Sequence, residues 1–345
     1  MKHLIIHGDW VIKDAFYHNL GIKNKLQTDG ATWFGGTIGF IEQVGEAIEK
    51  TKAERVVVFW DGILFGKNKY DTHPIIKRKR MNKWNLNMDI ISNSVDEEDK
   101  KNAHSKELFY QKLLLKQVLD DVFVRSVEFD DMEAHDMMTF YKEQAIKDGD
   151  EVFIYGKPAN FQNLISDDVY LYVKNNGVVR KENFQELFHY DQRNSFLMFC
   201  ILGDDQRDII GLEGIGYKKL LKFFPMFQND KFSYGDLMKY CSEKNVTHPL
   251  KIYDEILNSY ERILENFRVL NENFIYLTSE AKSEIIKNLY SPLYIKERSI
   301  ETIKSFLYER IYYDKRQKVD SAIIPYYYLM TKEIEYSNLL DKISI

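Results

Sequence analysis

The sequence predicts an α/β protein: a mostly parallel sheet covered by helices on both faces, followed by a helical C-terminal part. Two observations carry this. In the first half, short apolar runs such as Leu4-Ile5-Ile6 and Arg55–Trp60 alternate with stretches of helical periodicity, and fully apolar strands joined by helical crossovers belong to sheets buried on both faces. From about Asn183 onward the strand-like runs give way to helical patterning. The expected boundary therefore divides the chain into an α/β body at 1–182 and a helical region at 183–345.

Taken in order, Leu4-Ile5-Ile6 is a short buried strand. Thr37–Thr51 follows as a helix, because Ile38, Ile41, Val44 and Ile48 recur on one face. Arg55–Trp60 is a β-rich apolar run that ends at Asp61-Gly62. A Leu-rich helix is expected around Lys106–Asp121, a strand near Val122–Val127, a helix at Met132–Ile146, and strands at Glu151–Tyr155 and Val169–Val173. Beyond them Asn194–Leu202, Tyr217–Phe224, Leu250–Asn271 and Ser299–Tyr312 read as helices. No internal repeat is evident. In an open parallel sheet the functional cleft lies past the carboxyl ends of the strands. Asp61 stands there.

Composition bounds the function. Of 345 residues, 44% are hydrophobic and 29% charged, which is enough to build a core and unlike a disordered chain. The net charge of −5 means that any nucleic-acid surface must be a local patch. Cys200 and Cys241 lack metal-type spacing and read as reduced core thiols. No apolar run reaches the ~18 residues of a membrane span, and no leader pattern opens the chain. The expectation is a soluble, cytoplasmic protein.

The most informative stretch is Gly203–Lys219, an acidic loop leading into a helix-hairpin-helix at 203–224. The Gly214-Ile215-Gly216 turn allows a helix N-terminus to approach a phosphate closely, and Lys218 and Lys219 add charge beside it. A second basic element, Lys77-Arg78-Lys79-Arg80 with Lys83 and Trp84 after it, is either a solvated face or a nucleic-acid contact in which Trp84 stacks on a base. Asp130-Asp131 is read as acidic support for a helix N-terminus, and His7 either as a hydrogen-bonded core residue or as a ligand. Asp96-Glu97-Glu98-Asp99-Lys100-Lys101 is a charge run that reads as a solvated or mobile loop. The Tyr312-Tyr313 and Tyr326-Tyr327-Tyr328 clusters read as packing.

In order along the chain, Ile5–Asp9, Val58–Gly62, Pro74–Arg80, Glu133–Asp136, Ile154–Leu164 and Gly203–Gly216 resemble the motifs of the 5′-nuclease family. That family comprises flap endonucleases and 5′–3′ exonucleases with a PIN-like core, and the phage ribonuclease H branch is the most similar. The resemblance covers about residues 1–310 and implies a basic arch over about 77–105. It implies branched or 5′-ended DNA, or an RNA–DNA hybrid, as ligand, with magnesium or manganese as cofactor. It also implies primer removal in phage replication and phage replication proteins as partners of the C-terminal tail.

At the family's acidic positions this chain keeps Asp61, Glu133, Asp136 and Asp204, which the resemblance makes the metal-holding and catalytic residues. Elsewhere it has His7, His135, Pro158, Asn160 and Arg207. A two-metal nuclease clusters carboxylates to hold two divalent ions about 4 Å apart, so these replacements predict catalysis weakened or lost, with magnesium or manganese held if the site is active and no metal if it is not. Asp9, Asp205 and Asp208 stand close enough in sequence to compensate, Asp9 on the same strand face as His7 if the strand continues. His7 and His135 suit a transition metal better than magnesium. Two readings stand: a DNA-binding relative without effective catalysis, and an active metal nuclease with a rearranged site.

Overall fold

The computed structural model describes the chain except residues 22–32, 72, 95–98, 205–207, 272–274, 295, 297 and 344–345, and the side chains of 75 and 343. The central sheet has the order β3-β2-β1-β4-β5-β6. Its strands are β1 (Lys2–His7), β2 (Arg55–Trp60), β3 (Val124–Glu128), β4 (Glu151–Tyr155), β5 (Val169–Val173) and β6 (Gly177–Val179). All neighbours are parallel except the β5–β6 pair. Alternation within the strands builds two cores: Leu4 and Ile6, with Val56 and Val58, face one side, and Ile5 with Val57 and Phe59 faces the other. Every residue of β2 is buried.

Helices α1 (Gly8–Leu20) and α2 (Gly35–Thr51) cover the first face, where Ile38, Ile41, Val44 and Ile48 are buried as their spacing predicts. Helix α3 (Pro74–Ile91) adds Ile76 to the second core, helix α4 (Lys100–Val118) adds Leu115 to the first, and α5 (Ala134–Lys147) covers the second face. Asp99 caps α4 by accepting from the amides of Lys101 and Asn102. The C-terminal part contains α6 (Lys181–Phe188), α7 (Ser195–Leu202), the two-stranded ribbon β7 (Gly203–Asp204) and β8 (Ile209–Ile210), and α8 (Tyr217–Phe223). It continues with α9 (Tyr234–Thr247), α10 (Lys251–Asn258), α11 (Tyr260–Leu270), α12 (Ser279–Tyr290), α13 (Ile300–Tyr308) and α14 (Arg316–Ile343).

Both cores draw on residues from either side of position 182. Val319, Ile323, Tyr326 and Leu329 of α14 join the first core, and the Tyr326 hydroxyl donates to the Ile41 carbonyl. Glu333 on the same helix accepts from Nη1 and Nη2 of Arg125 (2.6 and 3.0 Å). The C-terminal segment that the sequence offered to partners thus has one face committed to the body of the protein.

Four local expectations differ from the structure. The strand ends at His7, so Asp9 lies in the first turn of α1 rather than on a continued strand. Asp130 and Asp131 do not supply the α5 N-terminus: their carbonyls accept from Leu64 and Gly66, and the Asp131 carboxylate accepts from Asn68. The helix expected over 250–271 divides at Ser259, whose φ of −103° leaves the helical region. The charge run ends in a helix and not a loop, since Asp99 caps α4 and Lys100 and Lys101 form its first turn, while its 96–98 part lies outside the described residues.

Candidate active site

The chain runs from β1 to β2 to β3 on one side and then places β4 on the other side of β1. This topological switch opens a cleft beyond the strand ends. His7 ends β1, and Asp61 follows β2, whose Phe59 is in register with His7. Gly62 is required next to Asp61, since a Cβ there would lie 2.0 Å from the Phe129 carbonyl oxygen. The cleft has a volume of about 560 Å³, and its walls include Asp9, Lys13, Asp61, Lys83 and Lys157.

His7, Asp9 and Asp61 each present a ligand atom within 4.8 Å of the other two; among the described residues they form the one His/Cys/Asp/Glu group so arranged. Backbone amides set the carboxylates: Asp9 Oδ2 accepts from Asp61 N–H (2.7 Å), and Asp61 Oδ1 accepts from Ala134 N–H (2.8 Å). His7 Nε2 lies 3.9 Å from Asp61 Oδ2, and its Nδ1 is buried without a hydrogen-bond partner. Burial raises the Asp61 carboxyl above the usual range; His7 opposes this and Asp9 adds to it.

The second group of carboxylates is neutralised from within. Lys69 Nζ lies 3.0 Å from Glu133 Oε2 and 2.6 and 2.9 Å from the two oxygens of Asp136. Arg80 Nη2 forms an ion pair with the other Glu133 oxygen at 2.6 Å, and the Tyr70 hydroxyl donates to Glu133. Asp136 also accepts from the Tyr276 amide. Burial raises the Asp136 carboxyl, against the pull of Lys69 and with a further push from Glu133. Burial alone would lower Arg80, but Glu133 and the other nearby acids hold it above its ordinary value. Lys112 plays the same part on the other side: it donates to Asp9 (3.1 Å) and to the Asp61 carbonyl (2.6 Å), and pairs with Glu128 (3.2 Å). It too is held above its ordinary value despite its burial.

The remaining sequence candidates fall in different places. Asp204 is buried and accepts from Asn160 Nδ2 at 3.3 Å. His135 is buried and stacks on Phe161, with centroids 5.1 Å apart. Asp208 pairs with Lys83 (2.8 Å) and Arg80 (3.4 Å), while Asp205 and Arg207 lie outside the described residues. Arg80 is fully buried, over the rings of Phe65 and Tyr70, so it stabilises the acidic cluster instead of facing a passing strand. Trp84 is buried too and donates to the Phe65 carbonyl, which removes it as a stacking platform. Arg78 is exposed, Lys77 pairs with Asp71, and Lys83 is partly exposed. Gly214 has a φ of +68°, Gly216 caps α8, and Lys218 and Lys219 are exposed, the latter donating to the Gly214 carbonyl. Sequence reasoning missed Lys69, Lys112 and Glu128. None sits in a motif; a lysine amid acidic motifs carries no local signal until the fold brings it there.

The sequence profile of the 5′-3′ exonuclease N-terminal resolvase-like domain matches residues 2–189, more than half of the 345. The chain belongs to the 5′-3′ exonuclease family. Two 5′-3′ exonucleases of Buchnera aphidicola are each 24% identical. The one from the Schizaphis graminum subspecies matches over 47% of this chain, and the one from the Acyrthosiphon pisum subspecies over 55%. The matched regions span 59% and 71% of those relatives' own lengths. Among solved structures, the T5 5′-exonuclease with bound divalent metal ions (zinc) has a TM-score of 0.56 at 14% identity, covering 93% of this chain and 100% of that one. A bacteriophage T5 flap endonuclease in a pseudo-enzyme–product complex with DNA and metal ions has a TM-score of 0.52 at 15% identity, covering 93% and 99%. At these identities the likeness establishes the PIN-like nuclease fold.

Proposed function

We propose that this member of the 5′-3′ exonuclease family binds branched or 5′-ended DNA and that its two-metal hydrolysis is weakened or lost. The observation that carries the reading is Lys69, whose ammonium sits between Glu133 and Asp136 where carboxylates of a two-metal nuclease would share a divalent ion. With Arg80 on the remaining Glu133 oxygen, that half of the site does not fit a metal. The other half does fit one, because His7 and two oriented carboxylates converge there. A divalent ion bound there would supply Lewis-acid activation of water or phosphate. The chain's own contribution is to hold the 5′ end: Lys13, Lys83 and Lys157 line the cleft and attract phosphate, with Lys77 and Arg78 on the same helix as Lys83. Gly214, Gly216, Lys218 and Lys219 would grip the duplex backbone. That one of the similar T5 structures holds divalent metal ions and the other DNA with metal ions supports the ligand class.

The test is a labelled 5′-flap DNA, and the corresponding RNA–DNA hybrid, with magnesium and then manganese, against an Asp61→Asn, Asp204→Asn control. The expected result is binding that weakens with salt, and trace cleavage. Robust cleavage abolished in the control would overturn the loss of catalysis. It would favour the second reading, an active 5′-nuclease with a rearranged site, to which the convergence of His7, Asp9 and Asp61 lends support. Phage replication is the setting we propose for either.

A further inference from the structure

We propose that His7, Asp9 and Asp61 form a one-ion site for a transition-metal dication of the cobalt and zinc class, in preference to magnesium. The inference rests on the same cleft as the proposed function but does not depend on DNA being bound or cut.

His7 is buried, with 6% of its surface exposed, and its Nδ1 has no hydrogen-bond partner. Its Nε2 points to the Asp61 carboxylate across 3.9 Å, too long for a hydrogen bond. A buried polar ring ordinarily finds a partner. Two ligand atoms each about 2.1 Å from a metal stand about 3.4 Å apart in a tetrahedral site and at most about 4.2 Å apart, so the gap falls within the span that one ion can bridge between a ring and a carboxylate. The carboxylates are oriented before any ion arrives, since each has one oxygen held by a backbone amide. Such outer contacts set the direction of ligands and raise affinity.

The donor set decides the metal. Magnesium demands oxygen ligands and gives up its waters reluctantly, whereas an imidazole nitrogen suits zinc, cobalt and nickel. Lys112 is the built-in competitor, with its ammonium on Asp9. Glu128 lies on the other side of that ammonium at 3.2 Å, which allows Lys112 to keep a partner when Asp9 turns to the ion.

Full-length protein stripped with a chelator would be titrated with Co²⁺, followed by visible absorption, and with Zn²⁺ and Mg²⁺ by calorimetry. The expected result is one equivalent of cobalt with a nitrogen-ligand spectrum, displaced by zinc and not by a large excess of magnesium. His7→Ala and the more conservative His7→Gln should each weaken cobalt by at least about tenfold, and His7→Asp should turn the preference toward magnesium. Circular dichroism would verify that each variant is folded; if His7→Ala is not, His7→Gln decides. Equal affinity for magnesium and cobalt, or cobalt binding unchanged by both substitutions, would overturn the site. Flap-DNA binding by the same metal-free samples separates the two readings: its loss with cobalt binding intact refutes the DNA-binding role and leaves the metal site standing.

Discussion

Replacing Lys69 with Met would leave Glu133 and Asp136 buried with one shared cation fewer. Lys69 is only 5% exposed and lies within 3.0 Å of both carboxylates, so water does not compensate. Removing one partner from a buried ion pair costs about 3–5 kcal/mol. For a chain of 345 residues, with about 2.1 cal/mol/K of unfolding entropy per residue, that is a fall in Tm of about 4–7 °C. The sign of the pH dependence follows from Asp136, whose carboxyl is already raised by burial. A carboxyl with a raised folded pKa adds stability that is full below its unfolded value of about 3.9 and is lost as pH rises through the folded pKa. Loss of Lys69 raises that pKa further, so the deficit should be largest near neutrality and shrink as the solution is acidified. The vacated pocket should also accept a divalent ion, and manganese at a hundredfold excess over its Kd would restore about 2.7 kcal/mol, or about 4 °C. Thermal melts of both proteins across acid to neutral pH, with chelator and with manganese, measure all three effects. A variant as stable as the natural protein at neutral pH, or one whose deficit is the same at every pH, would refute the claim that Lys69 neutralises this cluster.

Three further outcomes are expected. Lys218→Glu with Lys219→Glu should weaken duplex binding by more than about tenfold and flatten its salt dependence, read by fluorescence anisotropy, because two phosphate attractions become repulsions. Gly62→Ala should cost about 1–3 kcal/mol or more in denaturant unfolding, since the new methyl meets the backbone oxygens of Phe129 and Asp130 at 2.0 and 2.3 Å and no flexible side chain can yield. Cys241, buried and with its thiol pushed up to about 12, should resist thiol reagents in the native protein and react on unfolding.

Much of the fold was legible in the sequence because strand and helix periodicities are local. The runs at Leu4–Ile6, Arg55–Trp60 and Glu151–Tyr155 are apolar without alternation, which demands helices on both faces, and those helices are there. Asp61 past the end of its strand, and the ordered series of motifs, placed the cleft and the family from sequence alone. The tertiary structure alone decided what the cleft contains. Asp9 joins His7 and Asp61 because the chain turns into α1 directly after His7, not because a strand continues. Lys69 and Lys112 reach the carboxylates across 64 and 103 residues of chain. Arg80 reads as a surface base in its basic run, yet the packing of α3 buries it against Glu133. Periodicity reports which face of an element is apolar; it carries no information about which distant charge is brought to that face. The electrostatic character of a site is a sum over such long-range encounters, and here it is the sum that sets this chain's chemistry.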